Sequence, residues 1–219
     1  GVANVLDDPA CTPAGERPTK TFDEIDVISG DPFAVYKGTE CTDMTGDDAS
    51  WARRSLELAE HIAVEQAVMS GVLQGATDLT PTPGTAVSVV RGLAILEGYA
   101  AANYGGVPVI HAARSTVTHL FANDVVEHDL SCRITTGQCA LVANGGGYEA
   151  NLGPDGTPAP DGQAWMYVTG AVTVARTPID VVRVLGASEA LNVQNALAER
   201  FVAVAVECIK AAVLVDLEA

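Results

Sequence analysis

The chain has 219 residues, of which 48% are hydrophobic, so it can bury a sizeable core and does not belong to the disordered class. Its formal net charge is −16, and we predict no specific nucleic-acid binding because an acidic surface repels the phosphate backbone. The sequence has no run of about eighteen uncharged apolar residues, so we predict neither a transmembrane helix nor a membrane partner.

The cysteines are scattered, odd in number and free of any CxxC pair, which argues against zinc. We predict reduced, mostly buried thiols in a cytosolic protein. The chain starts at Gly1 without a basic or hydrophobic leader, and the sequence leaves open whether an initiator methionine was removed or the chain was processed. The cysteines are Cys11, Cys41, Cys132, Cys139 and Cys208.

The N-terminal part divides into an extended arm and two predicted strands. Residues 1–20 are rich in proline and small residues and show no period, which is typical of an arm that lies on a neighbouring subunit in an assembly. Residues 21–44 predict a strand, a turn and a second strand, with the turn at 29–32 (Ser-Gly-Asp-Pro). This two-stranded loop would need support from elsewhere in the fold, because two strands alone are marginally stable.

Residues 51–70 form the clearest predicted helix, with acidic N-cap candidates before it and Gly71 after it. An apolar stripe at 3–4 spacing marks its buried face, and Glu60 is among the charged residues expected off that face. Two further helices are predicted over residues 85–103 and 114–122. The stripe consists of Leu56, Ala59, Ile62, Ala63, Ala67 and Val68.

The middle of the chain alternates short strands with loops. Residues 144–147 (Asn-Gly-Gly-Gly) could suggest a phosphate-binding loop, but neither GK[ST] nor G-x-G-x-x-G is present, so a turn or bulge is predicted there. An irregularity is expected at Gly170 within one strand. The predicted strands are residues 107–110, 137–143, 164–176 and 179–185.

The last stretch, residues 201–217, is strongly apolar. Valine recurs with a period of two within 202–206 and again within 213–215, which favours strands over a helix. A polar break at 207–210 predicts the turn of a β-hairpin. We expect this hairpin to pack on the helix of residues 51–70.

No motif in the chain demands an enzyme. The sequence contains neither G-x-S-x-G nor HExxH, and acidic clusters are expected by chance among 28 acidic residues. The predicted elements place His111 on a strand, His119 on a helix and His128 in a loop; the three could meet around zinc, but their spacing does not favour it. We therefore predict no catalytic, cofactor-binding or metal-binding residues, and no cofactor.

The order of the predicted elements resembles the HK97-like fold, of the α+β class, of tailed-phage major capsid proteins and encapsulin shells. Part of the middle of the chain is similar to A-domain segments of actinobacteriophage capsid proteins. The segments that carry the resemblance are residues 31–36 with the helix 51–70, residues 106–111 and 165–170, and residues 199–204 with the strand that ends at Leu217.

The resemblance implies a division of the chain into the segments of that fold. These are an N-terminal arm at residues 1–20, an E-loop at 21–46, a P-domain of spine helix and closing β-hairpin at 47–80 and 186–219, and an A-domain at 81–185. Some capsids of this fold join an E-loop lysine to a neighbour's asparagine. Lys37 with Asn192 or Asn195 would be the candidates here, and an ordinary exposed lysine is the alternative.

The function that the resemblance implies is structural and not enzymatic. We expect a major capsid protein that self-assembles, as pentamers and hexamers, into an icosahedral bacteriophage head enclosing double-stranded DNA. Its location would be the virion, after assembly in the host cytoplasm, with decoration, portal and scaffold proteins as further partners. One alternative is an encapsulin-type compartment shell, and a second is a small α/β enzyme with a site built from His111, His119 and nearby acids.

Overall fold

The computed structural model describes residues 27–41, 48–131, 133–184 and 194–218. The helices in this part of the chain are α1 (Asp48–Ala67), α2 (Val89–Asn103) and α3 (Arg114–Ala122), with a π-helical turn at Val68–Val72 and a 3-10 turn at Gly146–Ala150. The strands are β1 (Val27–Ser29), β2 (Phe33–Cys41), β3 (Thr77–Asp78), β4 (Val87–Ser88), β5 (Val109–Ala113), β6 (Val126–His128), β7 (Ile134–Thr136), β8 (Leu141–Gly145), β9 (Gln163–Thr169), β10 (Val172–Arg176), β11 (Asp180–Val184), β12 (Gln194–Glu207) and β13 (Lys210–Asp216).

All three predicted helices are present near their predicted limits. Ser88 caps α2 by accepting a hydrogen bond from the amide of Arg91, and the extended backbone of Tyr104 ends that helix. His128 lies in β6, so its predicted placement in a loop was wrong. In the chain as described, no helix is both long enough and apolar enough to cross a membrane.

The first sheet is built around β12. β1 and β2 follow one another along one edge of β12, and β10 and β11 follow one another along the other, all antiparallel to it. The predicted loop of two mutually paired strands is therefore wrong in its pairing, since β1 and β2 both pair with β12 and not with each other. The support that two marginal strands required comes from this third strand.

The break between β1 and β2 and the break between β10 and β11 are both β-bulges, and the chain does not reverse its direction at either. Residues 30–32 lie opposite residues 203–204 only, and residues 177–179 lie opposite 200–201 only. One extra residue on the outer segment is the definition of a β-bulge. In each bulge, the three residues on the outer segment include a proline. Proline has no amide hydrogen to donate to the β-ladder, and it is accommodated at a sheet edge or a bulge.

The second sheet has the strand order β3-β13-β9-β5-β8-β7-β6, with β4 also paired to β13. β5 and β8 run parallel, while β9 is antiparallel to both of its neighbours, β13 and β5. Every residue of β5 and the central five residues of β13 are buried, as expected for strands covered on both faces.

The two terminal strands are present, but the predicted hairpin is wrong. β12 belongs to the first sheet and β13 to the second. β12 pairs antiparallel with β10, and β13 pairs antiparallel with β9, the strand that directly precedes β10 in the chain. Residues 207–209 oppose only residues 170–171, so the polar break is a third bulge. Cys208, with φ of 54°, takes the left-handed conformation that allows it.

Two hydrophobic cores lie on opposite faces of the second sheet. The first lies between α1 and the first sheet, and it includes Leu56, Val202 and Tyr167. The second lies against α2 and α3, and it includes Leu96 and Met166. The predicted packing of α1 on the C-terminal strands is thus confirmed for β12, whereas most of β13 packs against α2.

Candidate assembly surfaces

One face of the first sheet is turned away from α1 and is strongly apolar. Val202, Val204 and Val206 are buried toward α1, so the alternate residues of β12 point to the opposite face. Phe201 is 56% exposed on that face and Tyr36 is 68% exposed. We define the outer sheet face as Ala34, Tyr36, Asp180, Val182, Leu197, Glu199 and Phe201.

The residues of the outer sheet face are contiguous across three strands. Phe201 lies opposite Ala34, and Leu197 lies opposite Val182. The sequence places Phe201 at the start of an apolar stretch that was predicted to be covered, and it does not reveal this exposed patch. Which of the two faces of β12 is covered depends on the element that packs on it, here α1, and a short apolar run does not encode that element.

The outer sheet face also carries two acids in direct opposition. Asp180 and Glu199 are paired in register across β11 and β12, and Tyr36 flanks Glu199 on the other side. Like charges placed directly opposite destabilise a sheet. Neither carboxylate has a salt bridge or a side-chain hydrogen bond within the described ranges, so a cationic partner would relieve their repulsion.

A cleft of about 890 Å³ with a basic rim lies beside β8 and β10. Arg114, His128 and Arg133 are among its polar lining residues, and Val107 and Ile134 are among its apolar ones. Arg133 is held by a salt bridge of 2.7 Å to Asp129. We call these five lining residues the basic cleft; it places positive charge together with apolar surface in a strongly acidic chain.

Glu60 joins α1 to the first sheet. Contrary to the predicted helix pattern, its side chain is buried, and its Oε1 lies 3.2 Å from Arg176 Nε and 3.4 Å from Arg200 Nη1. Burying a carboxylate requires such pairing because desolvation of an isolated charge is costly. Ile62, which was predicted on the buried stripe, is instead 39% exposed.

His111 is a satisfied core residue. Its Nε2 lies 2.9 Å from Thr169 Oγ1, whose hydroxyl donates to the carbonyl of Gly170, so Nε2 carries the proton. Nδ1 then accepts from the hydroxyl of Tyr148 at 3.0 Å. Burial lowers the pKa of His111 to about 4, and burial, with the nearby Glu65 charge, raises the pKa of Tyr148.

The other two histidines have different surroundings. His119 is half-buried on α3, whereas His128 is exposed and stacks on Phe121 with ring centroids 4.9 Å apart. No three His, Cys, Asp or Glu side chains are grouped as a metal site would require anywhere in the described part of the chain. The two ring nitrogens of His111 are both engaged by neighbouring side chains in the core.

The predicted cross-link residues fall in two groups. Lys37 is exposed on β2 opposite Ala198, and Asn195 lies opposite Glu40 on the neighbouring strand. Asn192 and the arm at residues 1–20 lie outside the described residues. Covalent cross-linking stays a prediction.

Of the cysteines, Cys139 and Cys208 are free and exposed, so the expectation of mostly buried thiols was wrong for these two.

No protein-family model and no curated protein matches this sequence. The cryo-EM structure of the holo-SrpI encapsulin complex from Synechococcus elongatus PCC 7942 is similar to this chain at a TM-score of 0.56 and 12% identity, covering 87% of this chain and 75% of that one. A structure of Gordonia phage Cozz gives a TM-score of 0.48 at 17% identity, covering 95% and 78% of the two chains. The capsid asymmetric unit of cyanophage Pam1 gives 0.45 at 11%, covering 96% and 81%.

The fold assignment rests on the encapsulin structure, since the two phage structures superpose less well. The chain has an HK97-like fold of the α+β class, and the resemblance found in the sequence is confirmed at the level of the fold. At this level of identity the similarity does not extend to function, and the fold by itself does not imply one.

Proposed function

We propose that this chain is a structural protein that self-assembles into a closed shell. The observation that carries the proposal is the HK97-like fold, which it has in common with the subunit of an encapsulin complex. The exposed aromatic residues of the outer sheet face support it, because a contiguous apolar patch on a subunit usually marks an interaction surface.

Complementary charge supports head-to-tail contacts between copies. The outer sheet face combines Tyr36 and Phe201 with the opposed acids Asp180 and Glu199, whereas the basic cleft combines apolar side chains with Arg114 and Arg133. A contact between two different surfaces of identical subunits is heterologous, and it closes into a ring when the rotation allows. Rings of five and six subunits are the pentamers and hexamers that an icosahedral shell requires.

In the finer form of the proposal, the shell is a bacteriophage head that encloses double-stranded DNA in the virion. The net charge of −16 suits a container that does not grip its nucleic acid. The proposed segments are an arm at residues 1–20, an E-loop at 21–46, a P-domain at 47–80 and 186–219, and an A-domain at 81–185. Decoration, portal and scaffold proteins are the further partners proposed.

The alternative is an encapsulin-type compartment that holds protein cargo. It is favoured by one specific observation, the similarity to the encapsulin structure. Particles isolated from their native source would distinguish the two functions by content: nuclease-protected double-stranded DNA in a phage head, or a second, co-purifying protein in a compartment.

Negative-stain electron microscopy of the purified chain, with sedimentation velocity of the same sample, tests the shell itself. We expect closed particles of uniform diameter that sediment as one large species. A chain that stays monomeric at all protein concentrations and salt conditions would overturn the proposal. Metal-dependent turnover by that monomer would favour the enzyme alternative.

A further inference from the structure

The acidic and the basic surface lie on opposite sides of the first sheet. Val172 and Val174 of β10 line the same cavity as the basic cleft, and they pair in register with Val206 and Val204. Residues directly opposed in an antiparallel pair share a face, and these two valines of β12 are buried toward α1. The basic cleft therefore adjoins the α1 side of the sheet, whereas the outer sheet face points the other way.

This placement favours a head-to-tail contact over a two-fold contact. In a two-fold contact a surface meets its own copy, which would set the acids of the outer sheet face against one another. In a head-to-tail contact the acidic side of one subunit meets the basic side of the next, and a series of such contacts can close into a ring. The opposite positions of the two surfaces thus suit the proposed rings.

Arg114 is a cation of the cleft that lacks an acidic partner. It is exposed at the start of α3, and its guanidinium has neither a salt bridge nor a hydrogen bond within the described part of the chain. Arg133, by contrast, already binds Asp129. The carboxylate of Glu149 is engaged by the amide and the hydroxyl of Ser115. Arg114 is therefore available to a carboxylate from another copy.

Asp180 and Glu199 form a matching pair of acceptors. They are opposed in register on neighbouring strands, which places their Cβ atoms about 5 Å apart. A guanidinium carries five N–H donors in a planar fork, so one arginine can bind two neighbouring carboxylates at once. A cation held between the two acids would relieve the repulsion that they have in the isolated subunit.

We infer that Arg114 of one copy binds both Asp180 and Glu199 of the next copy. The next copy's Phe201 then enters the cleft of the first copy. This ion bridge rests on the proposed function, because it presupposes head-to-tail rings, and it assigns the residues that hold each ring together. Every subunit then has one donor side and one acceptor side.

Phe201 supplies the apolar part of the contact. It lies two residues from Glu199 on the outer sheet face, about 7 Å along β12, and more than half of its side chain is exposed. Val107, which is also more than half exposed, and Ile134 offer it apolar surface in the cleft. Aromatic and arginine side chains that become buried on association are the usual anchors of an interface.

Charge reversal on each side tests the ion bridge. R114E sets a carboxylate against the two acids, and the double variant D180R/E199R sets two guanidinium groups against Arg114. We expect each variant alone to associate at least about tenfold more weakly than the unmodified chain, as measured by sedimentation velocity. R91E makes the same change of charge at an exposed position of α2 outside both surfaces, and it should associate as the unmodified chain does.

Combining the reversals tests the head-to-tail pairing. The triple variant R114E/D180R/E199R restores opposite charges between identical copies, so we expect it to form closed particles again. Recovery would also show that the substitutions do not act by unfolding the chain. An equimolar mixture of R114E and D180R/E199R restores opposite charges only between unlike copies. The two variants must then alternate around a ring, so native mass spectrometry should find rings of six in 1:1 composition and none of five.

The outcomes separate the ion bridge from the shell. Closed particles that form equally well from the unmodified chain, R114E and D180R/E199R would overturn the bridge and leave the shell standing. Loss of association in both variants without recovery in the triple variant would overturn the bridge in favour of another cover for the outer sheet face, such as residues 1–26. Alternating rings from the mixture, with no closed particle from the unmodified chain under any condition, would support the bridge and overturn the shell.

Discussion

At the scale of single residues, buried charge and buried imidazole are the features that matter most. Glu60 and His111 both lie in the interior, and each is fully provided with partners from distant parts of the chain. Neither could be predicted from local sequence. Glu60 follows an ordinary charged pattern on α1, and its arginines lie on strands more than a hundred residues away.

The Glu60 cluster predicts a large effect on stability. Glu60→Gln removes the charge that compensates Arg200, a largely buried side chain, and we expect a loss of about 3 kcal/mol in the free energy of unfolding. Urea denaturation measures it. Glu127→Gln, at an exposed position of β6, is the control and should cost less than about 0.5 kcal/mol. Equal effects of the two substitutions would contradict the role assigned to Glu60.

His111 predicts a dependence of stability on pH. Its pKa in the folded state is about 4, below the ordinary value near 6.5, so the unfolded chain binds the proton more readily. The contribution of neutral His111 is therefore fully present above pH 6.5 and is lost as the pH falls toward 4, by about 3 kcal/mol in total. The difference in unfolding free energy between the unmodified chain and His111→Gln measures this term. A difference that stays constant from pH 7 to pH 4 would contradict it.

At the scale of elements, most helices and strands were predictable and several pairings were not. Alternation of valine identified both C-terminal strands, and the α1 stripe led to its correct partner, β12. The polar breaks at 29–32 and 207–210 have the composition of turns, but both are bulges in segments that continue in one direction. Local composition cannot distinguish a turn from a bulge, because a bulge forms only where a strand distant in sequence continues the hydrogen-bonded ladder on both sides of the break.

Packing of α2 on β13 gives a prediction with its control on the same helix. A Cβ at Gly92 would collide with Val215, whereas one at Gly98 would meet nothing within 4 Å. We expect Gly92→Ala to destabilise the fold by about 1–3 kcal/mol through overpacking. Gly98→Ala should stabilise it by about 0.5–1 kcal/mol because alanine favours the helix. Thermal unfolding of both variants checks this, and stabilisation by Gly92→Ala would contradict the close approach.

At the scale of the whole molecule, the subunit exposes an apolar sheet face that the described part of its own fold does not cover. On the outer sheet face, the side chains of Tyr36 and Phe201 are both more than half exposed. The order of elements allowed the fold to be predicted from sequence. The outer sheet face could not be predicted, because the same apolar residues suit a core equally well until the element that packs on β12 is known.

The outer sheet face predicts a specific loss of assembly. Phe201→Ser should reduce the yield of large particles strongly while leaving the fold intact, since the side chain is more than half exposed in the subunit. Val90→Ser, at an exposed position on α2 outside the outer sheet face, is the control. Particle yield by sedimentation velocity is the measurement, and equal yields from the two variants would contradict an assembly role for this face.

Cryo-electron microscopy of the assembled, unmodified chain tests whether it forms a shell through contacts of the outer sheet face. We predict closed particles with icosahedral symmetry, in which Tyr36 and Phe201 are buried against a neighbouring subunit. A sample that contains only single chains, or particles that leave both of these side chains exposed to solvent, would contradict the account.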